Sequence, residues 1–170
     1  MMDQSKIKNT KGGYAIIEIL FYIAIFFLLS LVVINSLFTM TKSFKESTIQ
    51  ADLVQSSAIM ERISREIRQA YGINSITGTS LKLNTRDDLD NNKTVQFLLS
   101  GLNIQFLEDY VLTGNLNTSN IQITNLSFTQ ITTPAGKAVK VFLSVKSTRD
   151  SSNRVTDFYD TVVLRGDYGM

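Results

Sequence analysis

GGYAIIEILFYIAIFFLLSLVVI, residues 12–34, opens with two glycines and continues as a run of apolar side chains. From residue 14 onward, the only plainly polar members of the run are Glu18 and Ser30. The 21 residues that follow the glycines would form a helix of about 31 Å, enough to cross the hydrocarbon core of a bilayer. The stretch therefore predicts a membrane-spanning helix over residues 14–34.

Glu18 is the costly residue of this helix. On insertion scales, a charged side chain at the centre of a bilayer costs roughly 2.5–3.5 kcal/mol. An ionisable group in such a position is a functional hypothesis by default, and a partner for its charge has to be sought.

The helix has no sequence signal to stop at the end of the apolar run. No glycine or proline interrupts residues 14–71, so one helix of about 87 Å is permitted. Past the apolar run, one face repeats at steps of three and four residues and is predicted to be buried: Ile49, Leu53, Ser56, Met60, Ile63, Ile67 and Ala70 or Tyr71. The other face is charged, with i,i+4 pairs Glu61–Arg65 and Arg62–Glu66. Residues 35–71 are thus predicted to be an amphipathic continuation of the helix, ended by a left-handed cap at Gly72.

Beyond the helix, the apolar period changes to two, which is typical of strands. The predicted strands are residues 80–84, 94–100, 103–106, 120–132, 138–145 and 157–165, separated by polar, turn-rich segments. Residues 72–170 are therefore expected to form a β-rich globular head. The fold class predicted from the whole pattern is α+β, with a long N-terminal helix packed on an antiparallel sheet.

Composition excludes several kinds of chemistry. The 170 residues contain no Cys and no His, so disulfides, thiol nucleophiles and imidazole ligands are ruled out. The net charge is only +2, which gives no overall field for attracting nucleic acid. No nucleophile elbow, phosphate loop or dinucleotide fingerprint is present. We therefore expect no enzymatic activity, no catalytic residues, no cofactor and no resident metal.

The residues before the apolar run resemble a known signal. Residues 1–13 carry Lys6, Lys8 and Lys11, and the pair Gly12-Gly13 precedes Tyr14 and, four residues later, Glu18. This arrangement resembles the class III signal of type IV prepilins and type II secretion pseudopilins. The resemblance implies that residues 1–13 are a cytoplasmic leader, and that a membrane peptidase cuts after Gly13 and methylates Tyr14. In this family, phenylalanine is usual at the position of Tyr14 and threonine is common at that of Ala15.

The resemblance also gives Glu18 a partner. Cutting after Gly13 would create a cationic amine on Tyr14, one helical turn from Glu18 or about 6 Å along the axis. Between two parallel staggered helices, the amine of one subunit could meet the carboxylate of another. Breaking such a buried pair typically costs about 3–5 kcal/mol. Glu18 is therefore predicted to set the register of assembly.

Over nearly the whole chain, the order of elements resembles the J-type minor pseudopilins and the related W-type minor pilins. The ending VVLR, residues 162–165, is similar to the last strand of that group. The resemblance implies a pilin-like, single-pass protein of the cytoplasmic (inner) membrane, with its N-terminus in the cytoplasm and its head outside, which then enters a filament. The implied partners are the prepilin peptidase, other minor and major pilins or pseudopilins, and the inner-membrane assembly platform.

Two alternatives remain open at this point. One is a minor pilin of a long type IV pilus used for DNA uptake or adhesion. The other is a signal-anchored extracytoplasmic binding domain that never polymerises.

Four other groups of residues were weighed as sites. Asp88, Asp90 and Asn92 alternate as in a calcium loop, but Lys93 and Leu99 stand where an EF-hand needs Gly and Glu, which favours a solvated turn. The remaining groups are listed with the favoured interpretation of each: Arg62, Arg65 and Arg68, a solvated helix face and not a phosphate contact; Arg165-Gly166-Asp167, a chance match to an adhesion tripeptide; and Glu108, Asp109, Asp157 and Asp160, carboxylates without the partners for acid–base chemistry.

Overall fold

The computed structural model describes residues 12–134 and 136–165. Within them, one helix is followed by eight strands. The elements are α1 (Gly12–Gln69), β1 (Gly72–Thr77), β2 (Ser80–Arg86), β3 (Asn92–Ser100), β4 (Asn103–Glu108), β5 (Val111–Asn115), β6 (Ile121–Thr133), β7 (Gly136–Ser147) and β8 (Val155–Val163). The predicted α+β fold, a long N-terminal helix packed against antiparallel sheets, is confirmed. The chain divides into two compact units after Lys45, and all the strands belong to the second unit.

The strands form two sheets. The first has five strands in the order β1-β2-β3-β4-β5, and the second has three in the order β6-β7-β8. Every pairing is antiparallel and joins neighbours along the chain, so each sheet is a meander. Strand β6 also bonds to turns of the first sheet: the Phe128 N–H donates to the Gly78 carbonyl at 2.9 Å, and the Ile123 N–H donates to the Leu102 carbonyl at 3.0 Å.

The core of the second unit lies between the end of α1 and the inner faces of both sheets. The helix contributes Ile59, Met60, Ile63 and Ile67, and Ala70 follows directly after it. The strands contribute alternate residues, as the period of two requires: Leu81, Leu83, Val95, Phe97, Ile104, Phe106, Ile121, Ile123, Leu126, Phe128, Val139, Val141, Leu143, Val145 and Val162. Burial of these side chains supplies the main favourable term for folding this unit.

The predicted buried face of the helix is confirmed, with three additions. Ile49, Ser56, Met60, Ile63, Ile67 and Ala70 are buried, and Leu53 is partly buried. Asp52, Ile59 and Ser64 are also buried, so the buried face is wider than the spacing suggested. Tyr71 is exposed, which leaves Ala70 as the last member.

All six predicted strands are present, but β1 and β5 were missed. Residues 111–115 were assigned in part to a turn, whereas they pair with β4 across a hairpin whose two central residues, Asp109 and Tyr110, have φ of 47° and 70°. Tight hairpins of this kind usually carry Asn-Gly or Asp-Gly, so the dipeptide Asp-Tyr gives no sequence signal for the turn.

The predicted left-handed cap at Gly72 is wrong. Gly72 is the first residue of β1 and pairs with Asn84. The Ala70 N–H bonds back to the carbonyls of Glu66 and Ile67, and the Tyr71 N–H donates to the Asn84 carbonyl at 3.0 Å. Because strand pairing takes up the chain directly after the helix, no left-handed residue is needed there.

Candidate functional site: the N-terminal segment of the helix

The predicted cleavage position lies in the first turn of α1. Of the predicted leader, residues 1–11 lie outside the described residues. Gly12 and Gly13 begin the helix, and Tyr14 follows with 80% of its surface exposed. Glycine restricts the backbone least of all residues, and helix ends fray, so this first turn can unwind more easily than the interior of the helix.

Glu18 projects from an otherwise apolar segment. Its carboxylate Oε1 accepts a hydrogen bond of 3.2 Å from the Tyr22 hydroxyl, one turn further along the helix. Between residues 14 and 34 every side chain is exposed except that of Ser30, which is half-buried. This segment therefore presents apolar surface on all sides, with one carboxylate in it.

The helix is long and apolar enough to cross a membrane, judged by its length and composition. Each exposed isoleucine, leucine or phenylalanine of this segment would favour a nonpolar surrounding by roughly 25 cal/mol per Å² of surface removed from water. Either lipid or other helices could provide that surrounding.

The second unit contains an ionic cluster that the sequence analysis missed. The Arg154 guanidinium bonds both carboxylate oxygens of Glu46, at 3.1 and 3.0 Å, and its Nε donates to Asp150 at 2.7 Å. We call these three residues the clasp. They fasten the β7–β8 loop to α1. The Arg154 hydrogen bond, helped by the backbone N–H groups of Ser152 and Arg154, lowers the pKa of Asp150 to about 2. Arg154 likewise lowers the pKa of Glu46, and the two carboxylates raise the pKa of Arg154.

Two more polar contacts join the helix to the second sheet. The Ser147 hydroxyl donates to Asp52, which is 5% exposed, and Arg149 Nη1 lies 3.9 Å from the same carboxylate. The Ser64 hydroxyl donates to Asp160. The available sequence signal was the presence of Asp52 and Ser64 beside the apolar stripe. Their partners lie 95 and 96 residues away along the chain, which no local pattern indicates.

The other candidate sites have structural partners. Asp87 caps the β2–β3 turn by accepting from the N–H groups of Leu89 and Asn91, and Arg86 pairs with Asp90 at 2.7 Å. Within residues 12–134 and 136–165, no group of three His, Cys, Asp or Glu side chains could hold a metal ion. The carboxylates weighed for acid–base chemistry are all engaged: Glu108 with Lys93, Asp109 with the Thr94 N–H, Asp157 with Ser144 and Asp160 with Ser64.

The arginine series was only partly interpreted correctly. Arg65 and Arg68 are exposed, as expected for a solvated face. Arg62 is half-buried, and its guanidinium lies 4.5 Å from the centroid of the Phe106 ring, a cation–π contact. Neither predicted i,i+4 pair is an ion pair within 4 Å in the described part of the chain. Of the tripeptide at 165–167, the last two residues lie outside the described residues.

Comparisons of this chain with protein-family models, with curated proteins and with solved structures found no match.

Proposed function

We propose that this chain is a minor subunit of a filament of the type IV pilin class, with the J-type pseudopilin of a type II secretion pseudopilus as the leading subtype. Its role is assembly and not catalysis. The observation that carries the proposal is Glu18. It is the only charged residue in 14–34, it follows Gly13 and Tyr14 at the spacing of a class III signal, and it sits on an exposed apolar helix.

The proposed mechanism begins with removal of the leader. Cleavage after Gly13 leaves a methylated cationic amine on Tyr14, at the cytoplasmic edge of the helix. The subunit waits in the cytoplasmic membrane with its head outside. On extraction, its helix packs beside those of other subunits, and the amine of one subunit pairs with the Glu18 carboxylate of the next. In a low dielectric this pair selects one stagger, because any other leaves two unpaired charges.

The exposed apolar side chains support this proposal because they favour a nonpolar environment over water. Lipid would supply it before assembly and neighbouring helices afterwards. The proposed partners are the prepilin peptidase, the inner-membrane assembly platform, and other minor and major subunits, with which this chain forms a complex near the filament tip. A compact second unit beginning at Glu46 suits a head that stays folded throughout.

The first experiment measures processing. Mass spectrometry of the protein from its native membrane should show a chain that begins at Tyr14 and carries one extra methyl group. Gly13→Val should block cleavage, because a peptidase has to approach the backbone closely at this residue. Gly12→Val changes the neighbouring glycine and is the matched control. An intact leader in cells with an active prepilin peptidase would overturn the proposal.

The second experiment measures assembly. Glu18→Gln should lower recovery in sheared filaments about tenfold or more, while membrane insertion and cleavage remain normal. Ser30→Ala, a polar change in the same segment, should have little effect. Processing at Gly13 without any recovery of the wild-type chain in filaments would identify the non-polymerising anchor instead. Normal recovery of Glu18→Gln would mean that Glu18 does not set the register. That result is expected of a subunit at the very tip of the filament, which has no subunit ahead of it.

A further inference from the structure

Three residues with polar groups form a stripe along the N-terminal segment of α1. Between residues 14 and 29, the side chains that bear a hydroxyl or a charge are Tyr14, Glu18 and Tyr22. They are spaced by four residues, and successive members are rotated by about 40° around the helix, so all three lie on one face. The remaining residues of that stretch are Ala, Ile, Leu and Phe.

Among these three residues, Tyr22 contacts Glu18 directly. Side chains of an α-helix tilt towards its N-terminus, so the Tyr22 ring reaches back over the preceding turn. Its hydroxyl donates to Oε1 of Glu18 at 3.2 Å. Among the described residues, the Tyr22 hydroxyl is the one hydrogen-bond donor to the Glu18 side chain, and Oε2 accepts no hydrogen bond.

From this contact we propose that Tyr22 is a positioning residue for assembly: its hydroxyl holds the Glu18 carboxylate so that Oε2 faces the cationic N-terminus of a neighbouring subunit's helix. The inference deepens the function proposed above and rests on it. Charge identifies the group that binds this polar face of the helix: a single carboxylate on an apolar surface is complementary to a single cation on another apolar helix.

The physical reason for a phenol here is the surrounding of the carboxylate. In lipid or among packed helices, a carboxylate oxygen without a hydrogen-bond donor is costly because no water can reach it. Tyrosine supplies the donor from an otherwise apolar ring, at little cost to insertion. A donor on the same helix also fixes the side-chain rotamer before the partner arrives, which lowers the entropy lost on pairing.

The test compares a variant that lacks the Tyr22 hydroxyl with one that carries it on a neighbouring residue at unchanged composition. Tyr22→Phe removes it, and the double substitution Phe21→Tyr with Tyr22→Phe restores it about 100° around the helix. Both variants should be recovered in filaments roughly three- to tenfold less than wild type, the size expected for a hydrogen bond within a membrane. Ser30→Ala, which removes a hydroxyl elsewhere in the segment, should be recovered normally. Recovery of the swapped variant at the wild-type level would overturn the inference, because a hydroxyl on any face would then suffice.

A second measurement does not depend on filaments. In the full chain in lipid nanodiscs with ¹³C-labelled glutamate, the carboxyl resonance of Glu18 is identified by its loss in Glu18→Gln. Tyr22→Phe and the swapped variant should shift this resonance, and Ser30→Ala should not. An unchanged resonance in Tyr22→Phe would overturn the inference, as would a shifted resonance with undiminished recovery.

The two proposals fail in different ways. If Glu18→Gln is lost from filaments while Tyr22→Phe is recovered fully, the role of Tyr22 falls and the assembly role of Glu18 stands. If Glu18→Gln is itself recovered normally, the register role of Glu18 falls, and that of Tyr22 falls with it.

Discussion

The two parts of α1 differ in where their apolar side chains go. In residues 14–44 the apolar residues surround the helix, and all those with large side chains are exposed. In residues 46–69 the large apolar residues other than Val54 keep to one stripe, which is buried or partly buried. The distribution around the helix, more than the total apolar content, separates a segment buried by its own chain from one that needs an outside surrounding.

The carboxylates of the two parts show the same contrast. Asp52 is buried and is satisfied within the chain, by the Ser147 hydroxyl and by Arg149 nearby. Among the described residues, Glu18 accepts a hydrogen bond from the Tyr22 hydroxyl of its own helix alone. Within that part of the chain, the Asp52 carboxylate therefore has a cation nearby and the Glu18 carboxylate has none.

The largest effect expected from this contrast is on whether the sheets fold with or without the second part of the helix. A fragment of residues 41–170 keeps the buried stripe, the clasp and every strand, so it should be soluble and give a mixed helix–strand circular dichroism spectrum. A fragment of residues 70–170 lacks the stripe and would leave core residues such as Leu81, Phe97 and Val141 uncovered. It should be unfolded or aggregated.

Equal stability of the two fragments would break the comparison, because the second part of the helix would then be as dispensable as the first. Solubility of the longer fragment only in the presence of another filament subunit would make the head an obligate member of a complex.

The next effect is on core packing within the longer fragment. Ile67 is fully buried, so Ile67→Ala should lower the free energy of unfolding by about 2–5 kcal/mol, as measured by urea denaturation. Val54 lies on the same helix with 71% of its surface exposed, and Val54→Ala should cost less than about 0.5 kcal/mol. Similar losses for the two variants would mean that the stripe does not define the buried face.

The sequence was sufficient for features with a local period. The stripe, up to Ala70 or Tyr71, and six strands follow from repeats of 3.6 or 2 residues, and the apolar run follows from its unbroken length. It failed where neighbouring residues carried no signal. β5 follows a hairpin turn of unusual composition, and the end of α1 depends on the Asn84 carbonyl, which belongs to a different element.

The N-terminal site is a prediction that local sequence could supply, because Gly13, Tyr14 and Glu18 lie within six consecutive residues. The clasp could not, because Glu46 and Arg154 are 108 residues apart along the chain. Nothing near either residue distinguishes it from an ordinary exposed charge. The Tyr22 hydroxyl was overlooked for another reason: in an apolar run, a tyrosine is interpreted as one more aromatic ring of the membrane segment, and its hydroxyl is not considered.

The smallest effect expected is on acid stability, and it comes from the clasp. The pKa of Asp150 in the folded protein is about 2, below its ordinary value of 3.8, chiefly because Arg154 bonds the carboxylate. A lowered pKa stabilises the folded state at pH values above the ordinary pKa, and this stabilisation is lost as the pH falls from about 4 to about 2.

Arg154→Gln removes the guanidinium. It should lower the urea midpoint of the 41–170 fragment at pH 6, and the difference from wild type should shrink towards pH 2. Asp87, whose pKa is also lowered, titrates equally in both proteins and cancels in that difference. Arg65→Gln, at an exposed position outside the clasp, should leave the midpoint unchanged at every pH. A loss in Arg154→Gln that stays constant from pH 6 to pH 2 would mean that Arg154 stabilises the loop by packing alone, and that α1 is held to the β7–β8 loop without the aid of charge.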